Sequence, residues 1–178
     1  MKKLLTVITL IMTFGIAASA YAAQLDTLLT IKVKVKPSIS VDIAETELSL
    51  GDVTAGGFRT SMGSVTVTNN GSGINETYSL SLANPSRWTA VQDTTGVEKY
   101  ILNAAFDADG NGIAWDNAKH ALSTDVVSCS VVKFAGDQTG VAVPYNEVRK
   151  LWFQFKAPTA TSVTTEQSIT VTVTAQAS

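Results

Sequence analysis

Apolar and polar residues alternate strictly through Gly63–Val91, GSVTVTNNGSGINETYSLSLANPSRWTAV, and this limits the folds open to the chain more than any other feature. Val65 and Val67 point one way while Thr66 and Thr68 point the other. Further on, Tyr78, Leu80 and Leu82 alternate with Ser79 and Ser81. A period of two sends every second side chain to one sheet face, so each run predicts a strand with one buried and one wet face. Between the runs, Asn69-Asn70-Gly71-Ser72-Gly73 collects residues that tolerate positive φ, which predicts a hairpin with a loop longer than two residues. Trp88 follows Asn84-Pro85-Ser86, at a place where the core of a sandwich often receives a large ring.

The pattern recurs along the chain. Leu28–Pro37, LLTIKVKVKP, sets Ile31, Val33 and Val35 against Lys32, Lys34 and Lys36, a lysine-striped strand suited to an exposed edge. After Pro37 come an alternating run through Ile39, Val41 and Ile43 and a short one at Leu48 and Leu50. Arg87–Gln92 is a short strand, and Glu98–Phe106 leads into the most irregular part, a polar, Gly-containing loop over residues 107–125 with a helical turn expected around Trp115–Leu122. Val126–Phe134, VVSCSVVKF, is a strong β run. Arg149–Lys156 turns Leu151, Phe153 and Phe155 inward and Trp152, Gln154 and Lys156 outward. Ser168–Thr174 closes the chain with Ile169, Val171 and Val173 against Thr170, Thr172 and Thr174. About nine to ten short strands separated by turn signals, with hardly any helical periodicity, predict an all-β fold. The expected architecture is a two-sheet antiparallel β-sandwich, immunoglobulin-like or Greek-key.

Lys2 and Lys3, the uncharged apolar run Leu4–Ala18 and the small-x-small triplet Ala20-Tyr21-Ala22 read as a secretory signal peptide over residues 1–22. The apolar run is short for a membrane span and no second one follows, so no span is expected after cleavage. Residues 23–178 then form a single β-sandwich domain of about 155 residues, enough for a real core. The expected location is secreted: extracellular, cell surface or periplasm. Of the 13 Lys and Arg residues, Lys2 and Lys3 leave with the leader, so 11 remain against 15 Asp and Glu, a net charge of −4. Scattered basic residues on a mildly acidic chain give no footprint for nucleic acid. The lone cysteine, Cys129, cannot make an internal disulfide. It shares the expected strand face of Val127 and Val131 and reads as a small buried apolar side chain.

The sharpest motif is Asp107-Ala108-Asp109-Gly110-Asn111-Gly112, the front half of a calcium loop, with oxygen ligands at alternate positions and a glycine for the bend. The twelfth position is Ala118 rather than a bidentate Glu, so Asp116 would have to substitute. Calcium through Asp107, Asp109, Asn111 and Asp116 is the one cofactor the residues suggest. Trp115, Trp152 and Tyr145, in loops or on an outer strand face, are candidates for stacking on a glycan ring, against the alternative of packing under the long loop. His120, the only histidine, reads as a surface or loop residue. No nucleophile elbow accompanies it, and few acids lie within apolar strands where burial would suit them to general-acid work, so no enzyme is expected.

The run Val65–Gly73, then Glu76–Leu82 and Trp88-Thr89, resembles the sequence pattern of bacterial secreted immunoglobulin-like domains of the adhesion and surface-protein type. The likeness covers about thirty residues and mostly restates the physics of alternating strands around a turn. It implies an extracellular sandwich used for structure, adhesion or assembly, with no catalytic residues to carry over.

Two alternating runs at the chain's ends, containing Ile31, Val33 and Val35 and Ile169, Val171 and Val173, suggest self-association, since a terminal strand can complete a neighbour's sheet. The leading expectation is a secreted, non-enzymatic structural or surface protein, a fibre or coat subunit that binds itself or other surface proteins. The alternative is an extracellular carbohydrate-binding or adhesion module stabilised by calcium.

Overall fold

The computed structural model describes residues 31–178, and the expected leader over residues 1–22 lies outside them. Lys36–Ser178 forms one compact unit. Its strands in chain order are β1 (Val41–Ile43), β2 (Phe58–Thr60), β3 (Val65–Asn69), β4 (Glu76–Ala83), β5 (Thr89–Ala90), β6 (Lys99–Phe106), β7 (Val127–Ser128), β8 (Val148–Lys156) and β9 (Thr170–Ala177). A single short helix, α1 (Asn117–His120), is the only helix among the described residues. The all-β expectation holds.

The strands make two sheets. The first runs β1-β3-β8-β6-β5, with β2 also on β8, and has six strands; the second runs β7-β4-β9. The second is antiparallel throughout. The first is mixed, because β5 pairs parallel with β6, and this corrects the expectation of purely antiparallel pairing. Alternation fixes which face a side chain takes but says nothing about strand direction.

Both sheets contribute to one core. Val65 and Val67 of β3, Tyr100, Leu102, Ala104 and Phe106 of β6, and Leu151, Phe153 and Phe155 of β8 come from the first; Tyr78, Leu80 and Leu82 of β4 come from the second. Each large apolar side chain taken fully from water contributes about 1.5–3 kcal/mol. Trp88 packs against this core, its ring 5.9 Å from Phe155 and 6.3 Å from Tyr100. β6 is buried on both faces beyond Lys99. Its outer face meets the 107–125 segment, where Asn103 donates to Asn117 Oδ1 at 3.2 Å and Lys156 Nζ donates to the same oxygen at 2.8 Å.

Four expectations need correction. β3 and β4 are not a hairpin: β3 pairs with β1 and β8, β4 with β7 and β9, so residues 70–75 arch from one sheet to the other. Ile31–Ser40 carries no strand. Leu48 and Leu50 form no strand either, although both pack against the core. The run Val126–Phe134 keeps only β7. There Ser130 Oγ accepts from the N–H groups of Val132 and Lys133, and this local turn takes the backbone out of the ladder. Val131 is consequently 77% exposed and does not share the surroundings of Cys129, which is 5% exposed.

Candidate functional sites

The ends of the two sheets differ greatly in length. β1, β5 and β7 have three, two and two residues, whereas β9 has eight. β9 pairs with β4 along its whole length, from Thr170 opposite Ala83 to Ala177 opposite Glu76. Val171, Val173 and Ala175 face the core yet are only half-buried, while Tyr78, Leu80 and Leu82 beside them are closed to water. Ile169 lies just before the strand and also packs inward. At the other end of the described chain, Ile31, Val33 and Val35 are 76%, 80% and 82% exposed.

The loop after β6 brings part of the expected calcium set together. Asp107 is buried, and its Oδ1 accepts from the N–H groups of Gly110 at 2.8 Å and Asp109 at 3.3 Å. Its Oδ2 accepts from Asp137 N–H at 3.1 Å. Asp109 Oδ1 accepts from Asn111 N–H at 2.8 Å, and that backbone hydrogen bond is the leading cause holding its carboxyl below the usual range. Asp107, Asp109 and Asn111 therefore share one turn that backbone donors organise. Asp116 belongs to a separate element: it caps α1, accepting from Ala118 N–H at 3.0 Å. Among the described residues no group of three or more His, Cys, Asp or Glu side chains is placed to hold a metal ion.

The three candidate glycan rings stand in three different settings. Trp152 is half-buried on β8 and donates its indole N–H to Asp107 O at 2.9 Å. Gly110, at φ +74°, lies against that ring, where a Cβ would come within 2.5 Å of it. Trp115 sits edge-on to His120, 5.6 Å between ring centres. Tyr145, 48% exposed, precedes β8 in a turn. No aromatic contact joins any two of them among the described residues.

His120 is buried, not at the surface as expected. Its Nδ1 accepts from Asp116 N–H at 3.0 Å and its Nε2 lies 3.2 Å from Ala135 O, an arrangement that suits the neutral ring with the proton on Nε2. Burial lowers its pKa. Cys129 is buried as expected, and burial pushes its thiol up to about 12.

Sequence reasoning missed the polar group under the 70–75 arch. Asn69 donates to Ile74 O and Val143 O at 2.8 Å each, and its Oδ1 accepts from Gly71 N–H at 3.0 Å. Glu76, fully buried, accepts from Ser40 N–H at 2.8 Å. A signal was present: Glu76 has the same parity as Tyr78, Leu80 and Leu82, which places a carboxylate on the inward face of a strand. A wide groove of about 300 Å³ is lined by Ser86, Arg87, Ser162, Thr164, Thr165 and Gln167. No described helix is long and apolar enough to cross a membrane. The chain matches no known protein family, no characterised protein and no solved structure.

Proposed function

We propose that this chain is a secreted, non-enzymatic structural subunit that assembles by adding its N-terminal segment as a strand to a neighbour's sheet. The observation that carries the reading is the state of Ile31–Lys36. Its apolar residues alternate with lysines in the pattern of a strand, yet they form no strand and are among the most exposed large apolar side chains described. Water-exposed β-branched side chains at every second position gain most by joining a sheet edge, where main-chain bonds supply affinity and inward pockets supply register. The two sheets sharing one core support an immunoglobulin-like or Greek-key sandwich as the framework. The leader supports export to the periplasm, the cell surface or beyond.

The test is the native mass of residues 23–178 by size-exclusion chromatography with light scattering, compared with residues 37–178. Large species that collapse to monomer on truncation are expected. Monomers from both versions overturn the reading.

A further inference from the structure

We propose that the outer edge of β9 is the acceptor, and that Ile31–Lys36 of a second copy docks along it. This rests on the strand-addition reading and names its receiving atoms.

Hydrogen-bond parity identifies those atoms. In an antiparallel ladder, directly opposed residues alternate between exchanging both backbone bonds and exchanging none. Ser178 N–H donates to Asn75 O at 3.0 Å, which places that pair in the bonded set. On β4, Glu76 and Tyr78 turn their N–H groups away from β9, to Val143 O and Gly140 O, and Leu82 turns its own to Ser123 O. Counting by twos through the register, Thr170, Thr172, Thr174 and Gln176 bond to β4. Val171, Val173 and Ala175 therefore aim their N–H and C=O groups outward. No backbone bond from another described segment reaches them, and β1 comes near β9 without one.

Three further observations point to a strand as the missing neighbour. The side chains at the same three positions face the core and remain half-buried, as they would beside an unfilled strand position. The edge is also undefended. TVTVTAQA contains no Lys, no other charge and no Pro, the usual devices against stray pairing. Finally, the donor needs an edge of about its own length, and β1, β2, β5 and β7 have only two or three residues each. Ile31, Val33 and Val35 fit the inward positions. Lys32, Lys34 and Lys36 would then lie over Thr170, Thr172 and Thr174, with Ser79 and Ser81 beyond them on β4, a face that carries no like charge to oppose them.

The experiment uses residues 23–178 with Cys129→Ala, in two single-cysteine versions, Lys34→Cys and Thr172→Cys, both at exposed positions. Lys32→Cys, Thr170→Cys and Thr174→Cys cover the adjacent registers. Mixing and oxidation should give a disulfide-linked band at twice the monomer mass, several-fold stronger than either version gives alone. A second variant, Val173→Pro, removes one outward N–H and leaves the β4 bonds of Thr172 and Thr174 in place; it should abolish the large species while the far-UV spectrum is kept. Large species with no crosslink in any register overturn the acceptor and leave strand addition standing. In a third version that carries Lys34→Cys and Thr172→Cys together, a monomer that crosslinks within its own chain, with no crosslink between the mixed single-cysteine versions, shows the edge closed by its own N-terminal segment and overturns both. Monomers without crosslinks overturn both as well.

Discussion

Asn69 donates its side-chain amide to the carbonyl of Val143 at 2.8 Å, and so fastens the last residue of β3, in one sheet, to a segment that pairs with β4 in the other. The same amide holds Ile74 O, and the side-chain oxygen holds Gly71 N–H. Asn69→Ala leaves Ile74 O and Gly71 N–H without partners, while Val143 O keeps only its bond from Glu76 N–H. At about 1–3 kcal/mol for each stranded group, with partial relaxation, a loss of about 3 kcal/mol is expected in urea unfolding. A loss below about 0.5 kcal/mol, the size of an ordinary surface substitution, would show that the arch does not depend on this residue.

Gly71 tests the same arch sterically. A Cβ there would sit 2.5 Å from Glu76 Oε1 and 2.7 Å from Ser38 O. Gly71→Ala should destabilise by about 1–3 kcal/mol, as overpacking of a filled interior does. A crystal structure or chemical-shift map should place the resulting shift at residues 38–40 and 69–76.

Stability should decline in two steps on acidification. His120 has a folded pKa below its unfolded value of about 6.5, because burial disfavours the charged ring. The unfolded chain takes up that proton first, so the full contribution is present above about pH 6.5 and falls as the pH drops below it. His120→Gln should flatten this first step in urea midpoints measured from pH 7.5 to 5. Glu98 acts lower. Hydrogen bonds from Thr161 Oγ1 and Ser162 N–H hold its carboxyl below the usual range. Its contribution is present above the unfolded value of about 4.3 and is lost as the pH falls through the folded one.

Alternation made β3, β4, β8 and β9 legible, together with Val65, Val67, Tyr78, Leu80, Leu151, Phe153 and Phe155 on the core side. Strand partners were not legible, because period two assigns faces and leaves neighbours open; this is why the turn at 70–75 looked like a hairpin. β6 escaped notice for a different reason. Both its faces are covered, so Tyr100–Phe106 has no wet side to mark a rhythm. The candidate loop was visible in its composition, but the destination of each carboxylate was not. Asp107 accepts from backbone N–H groups and Asp116 caps a helix start, partners that an Asp/Gly/Asn-rich sequence does not specify.

The loop can be tested directly. Asp107→Ala should lower stability by about 1–3 kcal/mol with chelator present, since its acceptors serve backbone donors in the absence of any ion. The melting temperature of the unsubstituted chain should be the same in calcium and in chelator. A rise of several degrees in calcium would show the loop to be an ion site.

Cys129 offers a simple probe of the packed interior. With the thiol buried and raised to about 12, a disulfide reagent at pH 8 should leave the native protein unmodified and react fully once it is unfolded. Rapid labelling of the native form would mean that the core opens near Gly140, whose Cβ would touch Cys129 Sγ at 2.9 Å.

The eight-residue ladder between β4 and β9 also has a mechanical meaning. In a filament joined as proposed, tension entering a copy at its N-terminal segment is passed on through β9. A pull along the strand axis loads the ladder in shear, so its bonds share the load and must fail together instead of unzipping one by one. The strand proposed to recruit the next subunit is thus anchored along its whole length in its own, and a pulled filament should part at its joints before its subunits unravel.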